Sequence, residues 1–168
     1  MKILYDGTTF TMPGHYGIGR YFKNLISRLP ISFEPVLTTA RPQHRPESWH
    51  PNLRVHRFAR YGFRPGRVAY WLEKYYFRAV EARVEPDILH ATYYQLLTRE
   101  SLAAKRSPTV VTVYDMTYER YPAVLPYRQA IPFKRQAVFA ADWVLCISEC
   151  TKKIYWSAIP PSPLPKWK

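Results

Sequence analysis

Gly14-His15-Tyr16-Gly17-Ile18-Gly19-Arg20-Tyr21 joins a short apolar run, Ile3-Leu4-Tyr5, to a helical pattern. The chain holds 6 glycines; four fall in its first nineteen residues and none lies beyond Gly66. Glycine is therefore concentrated where a first strand turns into a first helix. Such a turn lets backbone approach a ligand closely and aims free N–H groups at it. Phosphates are the anions that most often use this arrangement. Arg20 follows in the first helical turn, where a cation opposes the helix dipole unless an anion offsets it. The competing reading is a tight turn with no ligand.

Outward from this turn, strand and helix patterns alternate. Lys2–Tyr5 reads as a strand and residues 8–16 as a polar loop. A helix is predicted over Gly19–Leu29, with Tyr21 or Phe22, Leu25, Ile26 and Leu29 on one face, and Pro30 ends it. Phe33–Thr39 and Asn52–Phe58 are strand candidates, and 40–51 and 59–66 are loops. Val68–Val84 is the clearest helix. Its stripe Val68, Trp71, Leu72, Tyr75, Ala79 and Ala82 is expected to face the core, with cations toward solvent. The other reading takes Trp71, Tyr75 and Tyr76, with Lys74 and Arg78, as a membrane-surface stripe.

Asp87–His90 is a short buried strand, and Thr109–Tyr114 a β-branched one suited to burial on both faces. A helix around Tyr127–Ala141, a last strand Trp143–Ile147, and a helix capped by Ser148 follow. The proline-rich stretch Ile159–Pro165 fits neither a helix nor a central strand. This order predicts an α/β, Rossmann-like open parallel sheet with helices on both faces. Ligands of such sheets bind outside the carboxyl ends of the strands. That rule collects Asp6, the Gly14–Gly19 turn, His90–Tyr94, Tyr114–Asp115 and Ser148–Glu149.

With 168 residues, 47% of them hydrophobic, the chain suits one folded domain with a proper core. Its two cysteines, Cys146 and Cys150, make no disulfide framework, so a reducing compartment is expected. Asp6 and Gly7 interrupt the N-terminal apolar run before a signal peptide can form. No uncharged run reaches the roughly 18 residues of a membrane span. A cytoplasmic location is expected. Net charge is +13, and residues 41–106 hold 13 Lys/Arg against 6 Asp/Glu. Such a surface favours anionic partners or is a solvated basic face.

Several chemistries are excluded by their signatures. Gly14-x-x-x-x-Gly19 has P-loop spacing, but Arg20-Tyr21 stands where Lys-Ser/Thr would meet phosphate and magnesium. Gly17-x-Gly19 begins a dinucleotide fingerprint whose third glycine is Phe22. Cys146-x-x-x-Cys150 crosses a strand–helix boundary without zinc-site partners, and no Gly-x-Ser-x-Gly elbow exists. Asp115 at a strand end is either an acid–base group or a loop cap. His90 is either a ligand contact or a hydrogen-bonded core histidine.

Four segments together resemble the amino-terminal domain of family-four glycosyltransferases, retaining enzymes of the GT-B fold. They are Gly17–Leu25, Pro86–Thr92, Thr109–Met116 with Pro122, and Ala141–Lys152. The resemblance spans residues 1–155 and leaves 156–168 as an irregular proline-rich tail. It implies hexosyl transfer, mannosyl transfer included, from a nucleotide sugar to a saccharide or lipid-linked acceptor in polysaccharide biosynthesis. It implies no metal or other cofactor.

By the same resemblance, Gly17, Ile18, Gly19 and Arg20 bind donor phosphate or acceptor, with His90, Ser148 and Glu149 lining the crevice. Tyr114 and Asp115 sit near the transferred sugar. The family usually has His-Asp there; Tyr114 can donate a hydrogen bond but is no cation at neutral pH. The family's carboxy-terminal, donor-binding domain is not matched in this sequence. The expectation is half an enzyme, inactive alone: either a truncated product, or one member of a split pair completed by a separate carboxy-terminal-domain protein. Peripheral contact with an anionic inner membrane face is expected, and nucleic acid is not. The competing class is a non-enzymatic basic module for anionic membrane or nucleic acid.

Overall fold

The structure, a computed structural model, describes residues 1–12, 16–40, 48–58, 66–121 and 130–158. Six strands form one sheet: β1 (Lys2–Asp6), β2 (Glu34–Thr39), β3 (Arg54–Arg57), β4 (Ile88–Ala91), β5 (Thr109–Val113) and β6 (Trp143–Cys146). The order is β3-β2-β1-β4-β5-β6, and every pairing is parallel. The chain winds outward from β1 one way and then, from β4, the other. The switch point therefore lies between β1 and β4, where α/β sheets open a crevice at their carboxyl edge. The helices are α1 (Tyr16–Ser27), α2 (Gly66–Val84), α3 (Thr117–Arg120), α4 (Ala130–Ala140) and α5 (Glu149–Ala158).

Strand alternation divides the core into two layers. Ile3, Tyr5 and Leu37 point to one face, where Phe22 and Ile26 of α1 cover them. Leu4, Val36, Leu89, Val111 and Val113 point to the other, against Ala137 and Val138 of α4, Tyr155 of α5 and Val84 at the end of α2. The expected Rossmann-like sheet with helices on both faces is the one observed. The α1 layer is incomplete. Register places Trp143 and Leu145 opposite Val110 and Thr112, on the α1 face, and both are exposed. Among the described residues no helix is long and apolar enough to cross a membrane.

Three local expectations change. First, α1 begins at Tyr16 rather than Gly19, so Gly17 and Gly19 are helical residues. Ile18 is the reason: it packs into the cluster of Tyr5 and Phe22 and draws the first turn into helix. A glycine in a helix costs about 1 kcal/mol against alanine, which such burial offsets. Gly14 lies outside the described residues. The glycine whose space is demanded is Gly7, where a Cβ would run into the Thr38 carbonyl oxygen.

Second, α2 is turned opposite to expectation. Ala69, Glu73, Phe77 and Val80 are buried, while Val68, Trp71 and Tyr75 are exposed. The inward residues repeat at the same helical spacing as the outward ones, so periodicity alone chose the wrong face. Phe77 and Val80 carry no polar atom, whereas Trp71 and Tyr75 carry groups that keep contact with water. Third, the single turn α3 was not anticipated. The start of the predicted 127–141 helix and the tail beyond residue 158 lie outside the described residues.

Candidate functional site

All six strands run the same way, so their carboxyl ends lie along one edge. The switch point on this edge is tied by Asp6. Its carboxylate accepts from Thr8 N (3.2 Å) and Thr8 Oγ1 (2.6 Å) after β1, and from Leu97 N (2.9 Å) after β4. Thr92 donates to Asp6 O through both N (3.1 Å) and Oγ1 (2.6 Å), and Thr9 N donates to Thr92 Oγ1 (3.1 Å). The β1 and β4 loops are thus one hydrogen-bonded unit. Burial pushes the Asp6 carboxyl up to about 6 against these donors.

The first turn of α1 follows. Its N–H groups have no partner four residues back inside the helix, so Gly17, Ile18 and Gly19 offer donors to an anion. The space beside Gly17 is open to 4 Å, whereas Phe10 lies 3.4 Å from a Cβ at Gly19. Arg20 is exposed, and the turn contains no acidic residue. Tyr21 reaches across to the end of β5, its ring edge-on to Tyr114 at 6.1 Å.

Tyr114 donates its phenol to Thr92 O at 2.9 Å. Burial raises its pKa above the ordinary tyrosine range, so it stays neutral. Asp115 is exposed at the crevice, and its Oδ1 accepts from Thr117 N at 3.0 Å, which starts α3. Ile147 N donates to Val113 O at 3.2 Å, extending the β5–β6 pairing by one residue and keeping Ser148 beside Tyr114–Asp115. Ser148 Oγ accepts from Thr151 N at 3.1 Å, the expected cap of α5. Ser148 and Glu149 are both exposed.

His90 is placed elsewhere. Its ring lies 5.5 Å from Tyr5 and 5.0 Å from Phe22, beneath α1, and is 5% exposed. Its Nε2 meets Thr112 Oγ1 at 2.9 Å, and burial lowers its pKa to about 4. It is placed as a hydrogen-bonded core histidine. The start of α1, Tyr114–Asp115 and Ser148–Glu149 thus stand along one carboxyl edge of the sheet, Tyr21 of α1 touching Tyr114, with His90 below in the core.

Two features escaped sequence reasoning. Lys134 of α4 is almost fully buried, with Nζ 2.6 Å from Asp115 O and 2.9 Å from Glu119 Oε2. It holds the loop after β5. Its signal was present: Lys134 shares a face with Ala137, Val138 and Ala141, all buried. The second is a cavity of about 410 Å³ on the α2–α4 side of the switch point. Thr8, Thr11, Tyr93, Tyr94, Arg99, Glu100, Phe133 and Gln136 line it, with Glu73 of α2. Arg99 has a φ of 57°, the left-handed region that strains non-glycine residues, and its guanidinium lies 4.3 Å over Tyr70. Hydroxyls, an amide and charged groups beside aromatic faces suit a polar ligand with many hydroxyls. Among the described residues, no three His, Cys, Asp or Glu side chains converge as a metal site would require.

With this geometry in place, the model of Glycosyltransferase Family 4 matches residues 16–164. The chain belongs to Glycosyltransferase Family 4. The match covers α1, the switch-point loop after β4, Tyr114–Asp115 and α5, the segments on which the resemblance rested. Among solved structures, this family member is similar to a ugt transferase from Siraitia grosvenorii crystallised in complex with UDP. Identity is 13% and the TM-score 0.45, over 71% of this chain and 29% of that one. The chain thus spans about 29% of that transferase's length. No curated protein sequence matches it.

Proposed function

We propose that this chain is the acceptor-side, amino-terminal half of a retaining GT-B glycosyltransferase. It works with a donor-binding domain to move a hexose, mannose included, from a nucleotide sugar to a saccharide or lipid-linked acceptor. One observation carries this reading. In a member of Glycosyltransferase Family 4, α1 reaches the end of β5 through Tyr21 and Tyr114, and Ser148–Glu149 follows β6 on the same carboxyl edge. As the bond between sugar and diphosphate breaks, negative charge grows on the leaving oxygen. The N–H groups of Gly17, Ile18 and Gly19, with Arg20, would stabilise that charge without a metal ion.

Asp115, exposed at the end of β5, is the group able to orient or deprotonate an acceptor hydroxyl. Tyr114 acts through position: its bond to Thr92 O fixes the loop that separates α1 from the cavity. The cavity is the acceptor's place. Ser148 and Glu149 face the donor-binding domain. We place the protein in the cytoplasm, at the inner face of a membrane, on the strength of its net charge of +13.

The test is transfer of labelled sugar from several nucleotide sugars, with and without a candidate donor-binding-domain protein. Transfer in the mixture, lowered at least about tenfold by Arg20→Ala or Asp115→Asn, is the expected result. No transfer in any mixture would sink the reading.

A further inference from the structure

We propose that the outward face of α2 is the surface by which this protein docks, lying flat, on an anionic lipid bilayer. The inference locates the membrane contact named in the reading above. It starts from the reversal of α2. The inward side of the helix is complete without Val68, Trp71 and Tyr75, because Ala69, Phe77 and Val80 already fill the core. Trp71 is 58% exposed, and Val68 and Tyr75 are each 45% exposed. At 100° per residue these three share one line with Ala79 and Ala82, both exposed, so the stripe runs most of the helix. Trp71 and Tyr75 lie ring to ring at 4.3 Å. A soluble helix normally turns such a stripe inward; here it is surplus to the fold.

Charge selects the occupant. Lys74 and exposed Arg83 border the stripe on opposite sides. The Arg78 guanidinium lies 5.6 Å over the Tyr75 ring, where it also pairs with Glu100. The carboxylates of α2 are withdrawn: Glu73 is buried, and Glu81 is held by Lys105 at 2.6 Å. A second copy of the chain would bring another +13 against this face. An anionic headgroup layer instead meets the cations while the rings enter the acyl boundary. Tryptophan and tyrosine favour that depth because one end of the ring is apolar and the other wet. In-plane docking is also the geometry open to a helix that cannot span.

The experiment is co-sedimentation of the full chain with vesicles of phosphatidylglycerol mixed into phosphatidylcholine, and of phosphatidylcholine alone. The wild type is expected to bind the anionic vesicles and to lose them in high salt. Trp71→Ala/Tyr75→Ala should weaken that binding about tenfold or more, with an unchanged thermal melt. Should that variant fold poorly, Lys74→Glu/Arg83→Glu must weaken binding in its place. Wild-type binding by the folded aromatic variant, or by the charge-reversed one, would overturn the proposal. So would equal binding to neutral vesicles, or a wild-type dimer that the aromatic variant dissolves. Sugar transfer to a soluble acceptor is scored separately. Its absence beside stripe-dependent vesicle binding would count against the enzymatic reading alone.

Discussion

Helices α1 and α2 carry apolar stripes of the same period, yet they face opposite ways. In α1 the stripe that periodicity names is the one that is buried: Phe22 and Ile26 are fully enclosed, with Ile18, Leu25 and Leu29 packed beside them. In α2 the named stripe looks outward, and a second set holds the core. The difference lies in the rest of each helix. The remaining positions of α1 are mostly Gly, Arg, Lys, Asn and Ser, so only one face can be buried. The remaining positions of α2 include Phe77, Val80 and Val84, so two faces compete. The face of Phe77 and Val80 takes the dry side, with Glu73 buried among them, and the face of Trp and Tyr is left on the wet one.

This comparison can be broken most forcefully at the inward faces. Phe22→Ala in α1 and Phe77→Ala in α2 should each cost about 3–5 kcal/mol, read from urea midpoints. A mild effect at Phe77 would mean that α2 does not bury the face described. Lys134→Met extends the comparison to α4, whose inward face contains a charge. It leaves the Glu119 carboxylate buried without its cation and should cost about 3–5 kcal/mol, with the loop of Tyr114–Asp115 loosened in hydrogen exchange.

Asp6 sharpens the comparison at the seam between the layers. Its carboxyl holds its proton more tightly folded than unfolded, from an ordinary 3.8 to about 6. Its contribution to stability is therefore complete below pH 3.8 and is lost as pH rises through about 6. Relative to Asp6→Asn, the wild type should lose about 3 kcal/mol between pH 3.5 and 7. A stability difference that stays flat across this range would mean that burial does not govern this carboxyl. The smallest effect belongs to the outward stripe. Trp71→Ala should change the urea midpoint by no more than about 0.5 kcal/mol, and a core-sized loss would show the stripe to be packed after all.

Much of the fold was legible because it rests on local pattern. Thr109–Val113 reads as a doubly covered strand from composition alone, and Ser148 caps α5 as expected. The edge that carries the candidate site was legible, since a parallel sheet lines up its strand ends wherever they fall in the chain. Its details were less so. His90 and Asp115 each had two readings, and only contacts choose between them. His90 lies under Phe22. Asp115 accepts from Thr117 N at the start of α3, the loop-cap reading, while its side chain stays exposed. The lining of the cavity was missed because it comes from loops and helices remote in sequence, whereas Lys134 was missed although its helical face with Ala137, Val138 and Ala141 is local.

By itself, then, the sequence determined the alternation of strand and helix, the parallel sheet and the edge on which a ligand would sit. These follow from backbone geometry and from periods of two and 3.6, which act over a few residues. Only the tertiary structure decided which way α2 faces, where the imidazole of His90 lies and which loops close the cavity. Those outcomes depend on competition for a limited dry volume, and no segment settles that competition alone.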